Sequence, residues 1–367
     1  MRGAQILALA CLSAAAAGQV KVTDFLGAGP ATGYAIADRP RAFAFPADHG
    51  AHPEYRSEWW YFTGNLAAEG GRHFGFQLTF FRFALTPHPV ERESAWAADQ
   101  AWMAHFTLTD TADGRFHAAE RLGRGALGIA GATAVPFRVW LDDWQAVSLS
   151  PDRGLFPLRL EARHGPAAIE LELTAIKPLV LQGQDGWDRK GPEPGNASYY
   201  YAFSRLAARG HVAIGDERFP VEGAAWMDRE WGSSALSAGL AGWDWFALQL
   251  SDGSELMYYR LRRLDGATGP FSSGTLVLPS GDKINLRSHE VRLAVRREWQ
   301  SPRSQRRYPV AWSIAVPSRG LALEIEPTVD NQELDLTVRY WEGAIRAQGM
   351  SGGRPVDGQG YLELVGY

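Results

Sequence analysis

The amino-acid sequence predicts an all-β protein on three observations. Large aromatic residues are frequent, with 14 Trp in 367 residues. Turn-forming residues are also frequent, with 40 Gly and 21 Pro. Between the turn residues, apolar side chains alternate with polar ones, which is the period of a β-strand with one buried face. At roughly 100–200 residues per domain, the length corresponds to two domains.

The first half of the chain carries strand signals from Ser57 onward. Residues 57–66 are aromatic and β-branched, and residues 67–71 predict a turn. Apolar side chains then occupy alternate positions over residues 74–80, so the two segments predict a hairpin with one buried face. Further candidate strands cover residues 102–108, 137–141, 158–162 and 169–176.

Residues 182–196 are rich in Gly, Pro and charge, which is typical of an exposed connection between domains. A second series of strands follows, and Asp252-Gly253 between two of them is a strong hairpin signal. Its candidate strands cover residues 198–206, 219–227, 243–250, 255–263, 275–278, 284–286, 291–299, 310–316, 321–325, 334–341 and 361–365. Only residues 91–102 and 233–240 favour helical turns. We expect domains at residues 41–190 and 191–367, preceded by an extension at residues 19–40.

The N-terminus resembles a secretory signal. Arg2 precedes an apolar run over residues 6–17 that ends in small residues, and polar sequence follows at once. We therefore expect residues 1–18 to be a signal peptide and the mature protein to be periplasmic or secreted. A buried N-terminal helix is the alternative. Residues 8–11 are similar to a lipoprotein processing site ending at Cys11, but the apolar stretch before it is short for lipidation.

Composition excludes several classes of protein. A net charge of −4 with no basic stripe argues against a nucleic-acid partner. The single Cys excludes a disulfide framework and a Cys-based zinc site. Residues 49–54 hold His49, His52 and Glu54, which could ligate a metal, but loop histidines more often bond to their neighbours. We expect no metal or cofactor, and no transmembrane helix in the mature chain.

Four strings place carboxylates beside large aromatic residues. A carboxyl group against an apolar wall favours its neutral form, which suits a general acid, and aromatic faces stabilise a passing cation. The alternative is structural, because Trp fills barrel cores and buried Arg–Glu pairs join strands. Residues 349–353 match the G-x-S-x-G elbow of serine hydrolases around Ser351, but a loop follows where that elbow needs a helix. The four strings are residues 58–61 (EWWY), 226–232 (WMDREWG), 243–245 (WDW) and 340–343 (YWEG).

Across residues 41–367 the sequence resembles the AttH and carotenoid 1,2-hydratase (CrtC-like) family, which is lipocalin-related, and the AttH branch is the nearer match. The resemblance is carried by long motifs. They are residues 45–66 (FPADHGAHPEYRSEWWYFTGNL), 190–191 (KG), 196–201 (NASYYY), 225–232 (AWMDREWG), 242–245 (GWDW), 340–343 (YWEG) and 360–367 (GYLELVGY).

The resemblance implies two lipocalin-like antiparallel β-barrels packed side by side, with a cavity near their interface. Characterised relatives act on hydrophobic polyenes, and some hydrate a terminal double bond of a carotenoid. The AttH branch is often described as predicted secreted hydrolases. It is often associated with ABC-type export permeases, which implies an ABC transporter permease as partner and a lipid, polyene or other hydrophobic small molecule as ligand.

The hydratase residues carry over only in part. Where the hydratases have an Asp-His-Asn-Trp string, this chain has Asp228-Arg229-Glu230-Trp231. A gapped match places Tyr258 and Arg260 where the hydratases carry a Tyr and an Asp, so the proton-donating Asp is replaced by Arg260. This departure puts carotenoid hydration in doubt.

Three functions follow as hypotheses: a hydrophobic-ligand binding module, which the sequence favours; a hydratase that protonates an alkene; and a secreted hydrolase. The candidate catalytic residues are Glu58, Asp228 and Glu230. The candidate ligand-binding residues are Trp59, Tyr61, His105, Arg229, Trp231, Trp243, Trp245, Tyr258, Trp341 and Glu342.

Overall fold

The computed structural model describes residues 31–89, 93–150, 152, 154–234 and 236–367. The predicted signal peptide at residues 1–18, Cys11 and residues 19–30 of the predicted extension lie outside the described residues. Within them, the chain forms strands and four short 3-10 helices and no α-helix. The 3-10 helices are Ala47–His49, Glu69–Gly71, Ser288–Glu290 and Pro317–Arg319. No helix in this part of the chain is long and apolar enough to cross a membrane.

The strands form two antiparallel sheets. The first sheet has 13 strands: β1 (Ser57–Ala68), β2 (His73–Ala84), β3 (Gln100–Asp110), β4 (Arg115–Arg124), β5 (Ala130–Ala134), β6 (Phe137–Leu141), β7 (Trp144–Ser148), β8 (Leu158–His164), β9 (Ala167–Ala175), β10 (Val180–Leu181), β11 (Trp187–Arg189), β12 (Ala197–Ile214) and β13 (Glu217–Gly232). The second sheet has ten strands: β14 (Leu240–Leu250), β15 (Glu255–Arg263), β16 (Ser273–Val277), β17 (Lys283–Arg287), β18 (Arg292–Gln300), β19 (Arg307–Val316), β20 (Leu321–Pro327), β21 (Glu333–Asp335), β22 (Arg339–Ser351) and β23 (Arg354–Val365).

Each sheet curls into a barrel or half-barrel around its own apolar core, which confirms the prediction of two lipocalin-like antiparallel β-barrels. The first sheet runs in the order β4-β3-β2-β1-β13-β12-β9-β8-β7-β6-β5, and the second runs β17-β16-β15-β14-β23-β22-β20-β19-β18. Trp60, Phe106 and Trp144 are buried inside the first barrel, and Phe246 and Trp312 inside the second. The two segments expected to hold helical turns form no helix where they are described.

The predicted domain boundary between residues 190 and 191 does not coincide with the division between the sheets. The long strands β12 and β13 follow that boundary, yet they pair with β9 and β1 of the first sheet. The division falls instead between β13 and β14. Gly, Pro and charge in residues 182–196 mark a connection that returns to the same sheet, and such a connection has the same composition as a linker.

Successive side chains of a strand point to opposite faces, so alternate residues of each acidic–aromatic string lie on opposite faces of the sheet. On β1, Trp60 faces the interior of the first barrel, whereas Tyr61 packs in a separate cluster between the sheets. Directly opposed residues of antiparallel strands share a face. Arg229 opposes Trp60 and Asp228 opposes Tyr61, so β13 follows the same division.

The outer faces of the two sheets pack against each other. Asn65 Nδ2 donates to the carbonyl of Gly360 at 3.0 Å, and Gln249 Nε2 donates to the carbonyl of Ala225 at 2.8 Å. A Cβ at Gly75 would lie 2.5 Å from the Cβ of Ala344, so the sheets approach closely at a point where β2 has no side chain. Towards one end of this interface the packing opens into a cavity.

Candidate active site

A cavity of about 160 Å³ lies between the two sheets. Its lining combines aromatic rings with carboxyl groups and one lysine. The lining residues are Trp59, Tyr61, Thr79, Phe81, Lys190, Tyr200, Asp228, Glu230, Ser234, Leu236, Ser237, Leu240, Trp243, Trp245, Tyr259, Leu261 and Glu363. An enclosed apolar volume with a few convergent polar groups is the usual form of a small-molecule site. Larger hollows, of about 700 and 840 Å³, are more open to solvent, and half or more of their lining residues are charged or polar.

Asp228 is the most unusual acid of the cavity. Its carboxyl is 4% exposed and accepts hydrogen bonds from Tyr200 Oη and Trp226 Nε1, each at 2.6 Å. Burial raises the pKa of Asp228 to about 8, although the two donors favour the carboxylate. At neutral pH the group is therefore largely a carboxylic acid that carries a transferable proton. Trp245 Nε1 lies 3.3 Å from Tyr200 Oη and extends the network to the second sheet.

Glu230 and Lys190 form a second polar group in the same wall. Glu230 Oε1 accepts a hydrogen bond from Ser198 Oγ at 2.5 Å and lies 3.3 Å from Lys190 Nζ. Lys190 Nζ also contacts Asp188 Oδ2 at 2.6 Å and lies 4.0 Å from the centroid of the Tyr259 ring. Burial raises the pKa of Glu230 despite the lysine. Burial opposes the charge of Lys190, but its two carboxylate partners raise its pKa well above the ordinary value.

The second sheet contributes aromatic rings and a pair of carboxyl groups. The Trp245 ring meets Tyr61 edge-on at 5.1 Å between centroids. Tyr61 Oη donates to Glu342 Oε1 at 2.7 Å, and Trp243 Nε1 donates to Glu363. Of the predicted site residues, Trp59, Tyr61, Asp228, Glu230, Trp243 and Trp245 line one cavity, and Glu342 lies directly behind it.

Glu58 lies elsewhere, in the interior of the first barrel. It is fully buried, forms salt bridges with Arg82 and Arg229, and accepts a hydrogen bond from the backbone N–H of His52 at 3.0 Å. Burial alone would raise the pKa of Glu58, but the two guanidinium groups hold it well below its ordinary value. The contacts of Glu58 are those of a structural carboxylate, because a proton donor must carry a proton at the working pH.

The remaining predicted residues also point away from the cavity. Arg229 lies 3.9 Å from the Trp60 ring centroid, and the Trp231 ring stacks on His52 at 3.9 Å, both inside the first barrel. Two further candidates, Tyr258 and Trp341, are buried in the core of the second barrel.

His105 lies between the sheets but outside the cavity lining. Its two ring nitrogens pair with Tyr340 Oη at 2.7 Å and Glu120 Oε2 at 3.1 Å. Burial lowers the pKa of His105.

The histidine loop is occupied by protein contacts. His49 Nδ1 pairs with Tyr201 Oη at 2.6 Å, and His52 Nε2 pairs with Asp48 Oδ1 at 3.1 Å. Glu54 points to solvent. Across the described part of the chain, no group of three or more His, Cys, Asp or Glu side chains is arranged to hold a metal ion.

Four ionisable residues of the cavity lining were not among the predicted site residues: Lys190, Tyr200, Tyr259 and Glu363. Strand pairing could have identified Tyr259, because this residue of β15 lies opposite Trp245 of β14. Lys190, Tyr200 and Glu363 lie in motifs that carry the family resemblance, but those motifs alone assigned none of them to the site. Glu363 becomes a site residue only through the pairing of β23 with β14 and β22.

Comparisons with known proteins support the resemblance. The AttH-like family model matches residues 36–367. The crystal structure of an AttH candidate from Nitrosomonas europaea has a TM-score of 0.80 and 37% identity, covering 91% of this chain and 99% of that one. Kievitone hydratase from Nectria haematococca has the same fold, with a TM-score of 0.68 and 16% identity over 89% of this chain and 93% of that one.

Two fungal proteins share part of the sequence. Kievitone hydratase from Fusarium solani subsp. phaseoli is 25% identical over 149 residues, or 40% of this chain and 41% of its own. The dehydratase asqC from Emericella nidulans is 19% identical over 223 residues, or 57% of this chain and 61% of its own. The matches thus span between two fifths and three fifths of those relatives. On the family match and the common architecture, the chain belongs to the AttH-like family.

Proposed function

We propose that the protein binds a small hydrophobic molecule in the cavity between its sheets and adds water to a carbon–carbon double bond of that molecule. The observation that carries the proposal is Asp228, a buried carboxyl with a pKa raised to about 8 in an aromatic cavity. A general acid works best when its pKa lies near the working pH, and proton transfer from such a group contributes typically about 100- to 10,000-fold in rate.

The aromatic walls suit the intermediate of that reaction. Protonation of an alkene leaves a carbocation, and a cation over an aromatic face is stabilised by about 0.5–2 kcal/mol, more where water is excluded. Trp59, Tyr61 and Trp245 all line the cavity that holds Asp228. The same residues serve the reverse reaction, in which the acid protonates a leaving hydroxyl group and water departs.

The cavity volume limits the part of the ligand that reacts. About 160 Å³ is close to the size of engineered cavities that hold a single benzene ring. The reacting group is therefore a short branched alkene, either a whole small molecule or the end of a longer one that enters from the mouth. The names of the fungal relatives, a hydratase and a dehydratase, agree with water addition and removal.

A second candidate is ligand binding without chemistry, which the sequence favoured. Its supporting observation is that both oxygens of Asp228 already accept hydrogen bonds from Tyr200 and Trp226. Export, service to an ABC-type permease and the periplasmic location stay predictions. The hydrolase hypothesis gains no support, because Ser351 ends β22 and donates to Asp252 Oδ2 at 2.7 Å, away from any strand–helix turn.

The test is a hydration assay with 2-methyl-2-butene and with kievitone as probes, in ¹⁸O-labelled water, read by mass spectrometry. Hydration inserts the labelled oxygen into an alcohol product. We expect the wild-type protein to form the product from at least one probe and Asp228→Asn to lose it at least about 100-fold. Binding of both probes without any labelled product would favour the second candidate.

A further inference from the structure

The second sheet carries its own pair of carboxyl groups on the cavity side. Glu342 on β22 directly opposes Glu363 on β23, and Glu363 also opposes Trp245 on β14. Opposed residues of antiparallel strands point to the same face. Because Trp245 and Glu363 line the cavity, both carboxyls project toward it from the side opposite Asp228.

This pair has no cation. Glu342 is 0% exposed, and Tyr61 Oη donates to its Oε1 at 2.7 Å. Its other oxygen, Oε2, receives no hydrogen bond from a donor in the described part of the chain. Among the described residues, no Lys, Arg or His forms a salt bridge with Glu342 or Glu363. Two neighbouring carboxyls without a cation do not both ionise, so a proton shared between them satisfies the orphaned oxygen.

The two carboxyls divide the roles between them. Burial and the charge of Glu363 raise the pKa of Glu342 well above its ordinary value. Burial also raises the pKa of Glu363, but hydrogen bonds from Trp243 and Glu342 act against that rise. Glu342, the deeper group, therefore keeps the proton. Glu363, which faces the cavity, is the member that ionises first.

We propose that Glu363 is the general base of the hydration and that Glu342 is a positioning residue that orients the Glu363 carboxyl toward the cavity. This inference rests on the proposed function. Asp228 transfers its proton to one alkene carbon, and the other carbon becomes the cation. A water oxygen bonds to that carbon while one water proton passes to the Glu363 carboxylate. The alkene and one water become the alcohol, and return of the proton from Glu363 to Asp228 resets the site.

The acid and base steps can be measured separately with 2-methyl-2-butene in D₂O. Protonation by Asp228 alone, followed by return of a proton, exchanges deuterium into the alkene without adding water. Water addition gives 2-methyl-2-butanol. A variant that lacks only the base should therefore keep the exchange and lose the alcohol, whereas a variant that lacks the acid should lose both.

We expect Glu363→Gln to lower alcohol formation at least about 100-fold while deuterium exchange stays within about threefold of wild type. Asp228→Asn should lose both products. Glu324→Gln is the matched control, because Glu324 is an exposed residue of β20 that pairs with Arg296, and no residue of β20 lines the cavity. Thermal unfolding followed by circular dichroism verifies that every variant is folded.

Glu342 is tested by two variants of similar size. Glu342→Leu removes the hydrogen-bond donor beside Glu363, so alcohol formation should fall about tenfold or more with exchange retained, and Glu342→Gln should restore most of it because the amide still donates. Equal loss of both products in Glu363→Gln, or no loss of either, would overturn the proposal and leave the hydratase function standing. Wild-type protein that yields neither product would overturn the function and this role together.

Discussion

Asp228→Asn should make the protein more stable at neutral pH while abolishing the proposed hydration. The folded protein keeps a proton on Asp228 up to a pKa of about 8, whereas the unfolded chain releases it near 3.8. Between these values the unfolded state binds fewer protons, so the stability of the wild-type protein falls as the pH rises. Asn carries no titrating proton and escapes this effect.

The magnitude follows from the width of that window. At pH 7 the wild-type protein is about three pH units above the unfolded pKa, and each unit is ~1.36 kcal/mol, so the penalty is about 4 kcal/mol. The Asn amide has one acceptor oxygen, so it keeps only one of the two hydrogen bonds that Tyr200 and Trp226 donate to Asp228. The lost hydrogen bond reduces the stability of the variant by about 1 kcal/mol. The net expectation is a gain of about 3 kcal/mol at pH 7 and a small loss at pH 4.

Urea unfolding followed by tryptophan fluorescence measures this difference at pH 4, 5.5 and 7. The difference in unfolding free energy between variant and wild type should change sign across this range. A difference that stays constant with pH would refute the reasoning, because it would mean that Asp228 titrates alike in both states. Asn65→Asp serves as a control for the opposite substitution, from an amide to a carboxyl group. Asn65 is buried at the same interface but lies outside the cavity lining.

Three further predictions concern other groups. Glu58→Gln leaves two buried guanidinium groups without a charge partner and should destabilise the protein by about 3–5 kcal/mol in urea unfolding. A loss under about 1 kcal/mol would contradict that picture. Lys190→Met should lower the melting temperature more at pH 8 than at pH 11, because the two carboxylate partners raise the pKa of Lys190 and its ion pairs stabilise the fold less as the pH rises above the ordinary lysine pKa of about 10.5. An equal fall in melting temperature at both pH values would mean that the ion pairs of Lys190 do not stabilise the fold. Trp245→Ala should enlarge the cavity and strengthen binding of N-phenyl-1-naphthylamine in a fluorescence titration, and unchanged affinity would place that probe elsewhere.

The fold was accessible from the sequence because its signals are local. Alternating apolar residues over residues 74–80 predicted β2, and Asp252-Gly253 predicted the hairpin that joins β14 and β15. The boundary at residues 190 and 191 was the exception. Gly and Pro report a local change of direction, whereas the return of β12 and β13 to the first sheet depends on pairing between distant strands.

The site was accessible only in part for the same reason. Members of the acidic–aromatic strings line one cavity, but the sequence predicted each string as a unit, whereas strand alternation splits it between two faces. Asp228 and Glu230 face the cavity, while Arg229 and Trp231 face the barrel interior. Glu363 stands in an ordinary alternating strand, and its importance comes from the register that places it beside Glu342.

The cavity lies between the outer faces of two barrels, not inside either one. Its width is set by side chains that bridge two sheets about 10 Å apart. Trp60, Trp231 and Trp312 fill the barrel interiors and contribute nothing to the lining. Substitutions in the lining can therefore reshape the cavity while both cores keep their packing. The outer faces of the barrels are free to vary independently of the two barrel interiors.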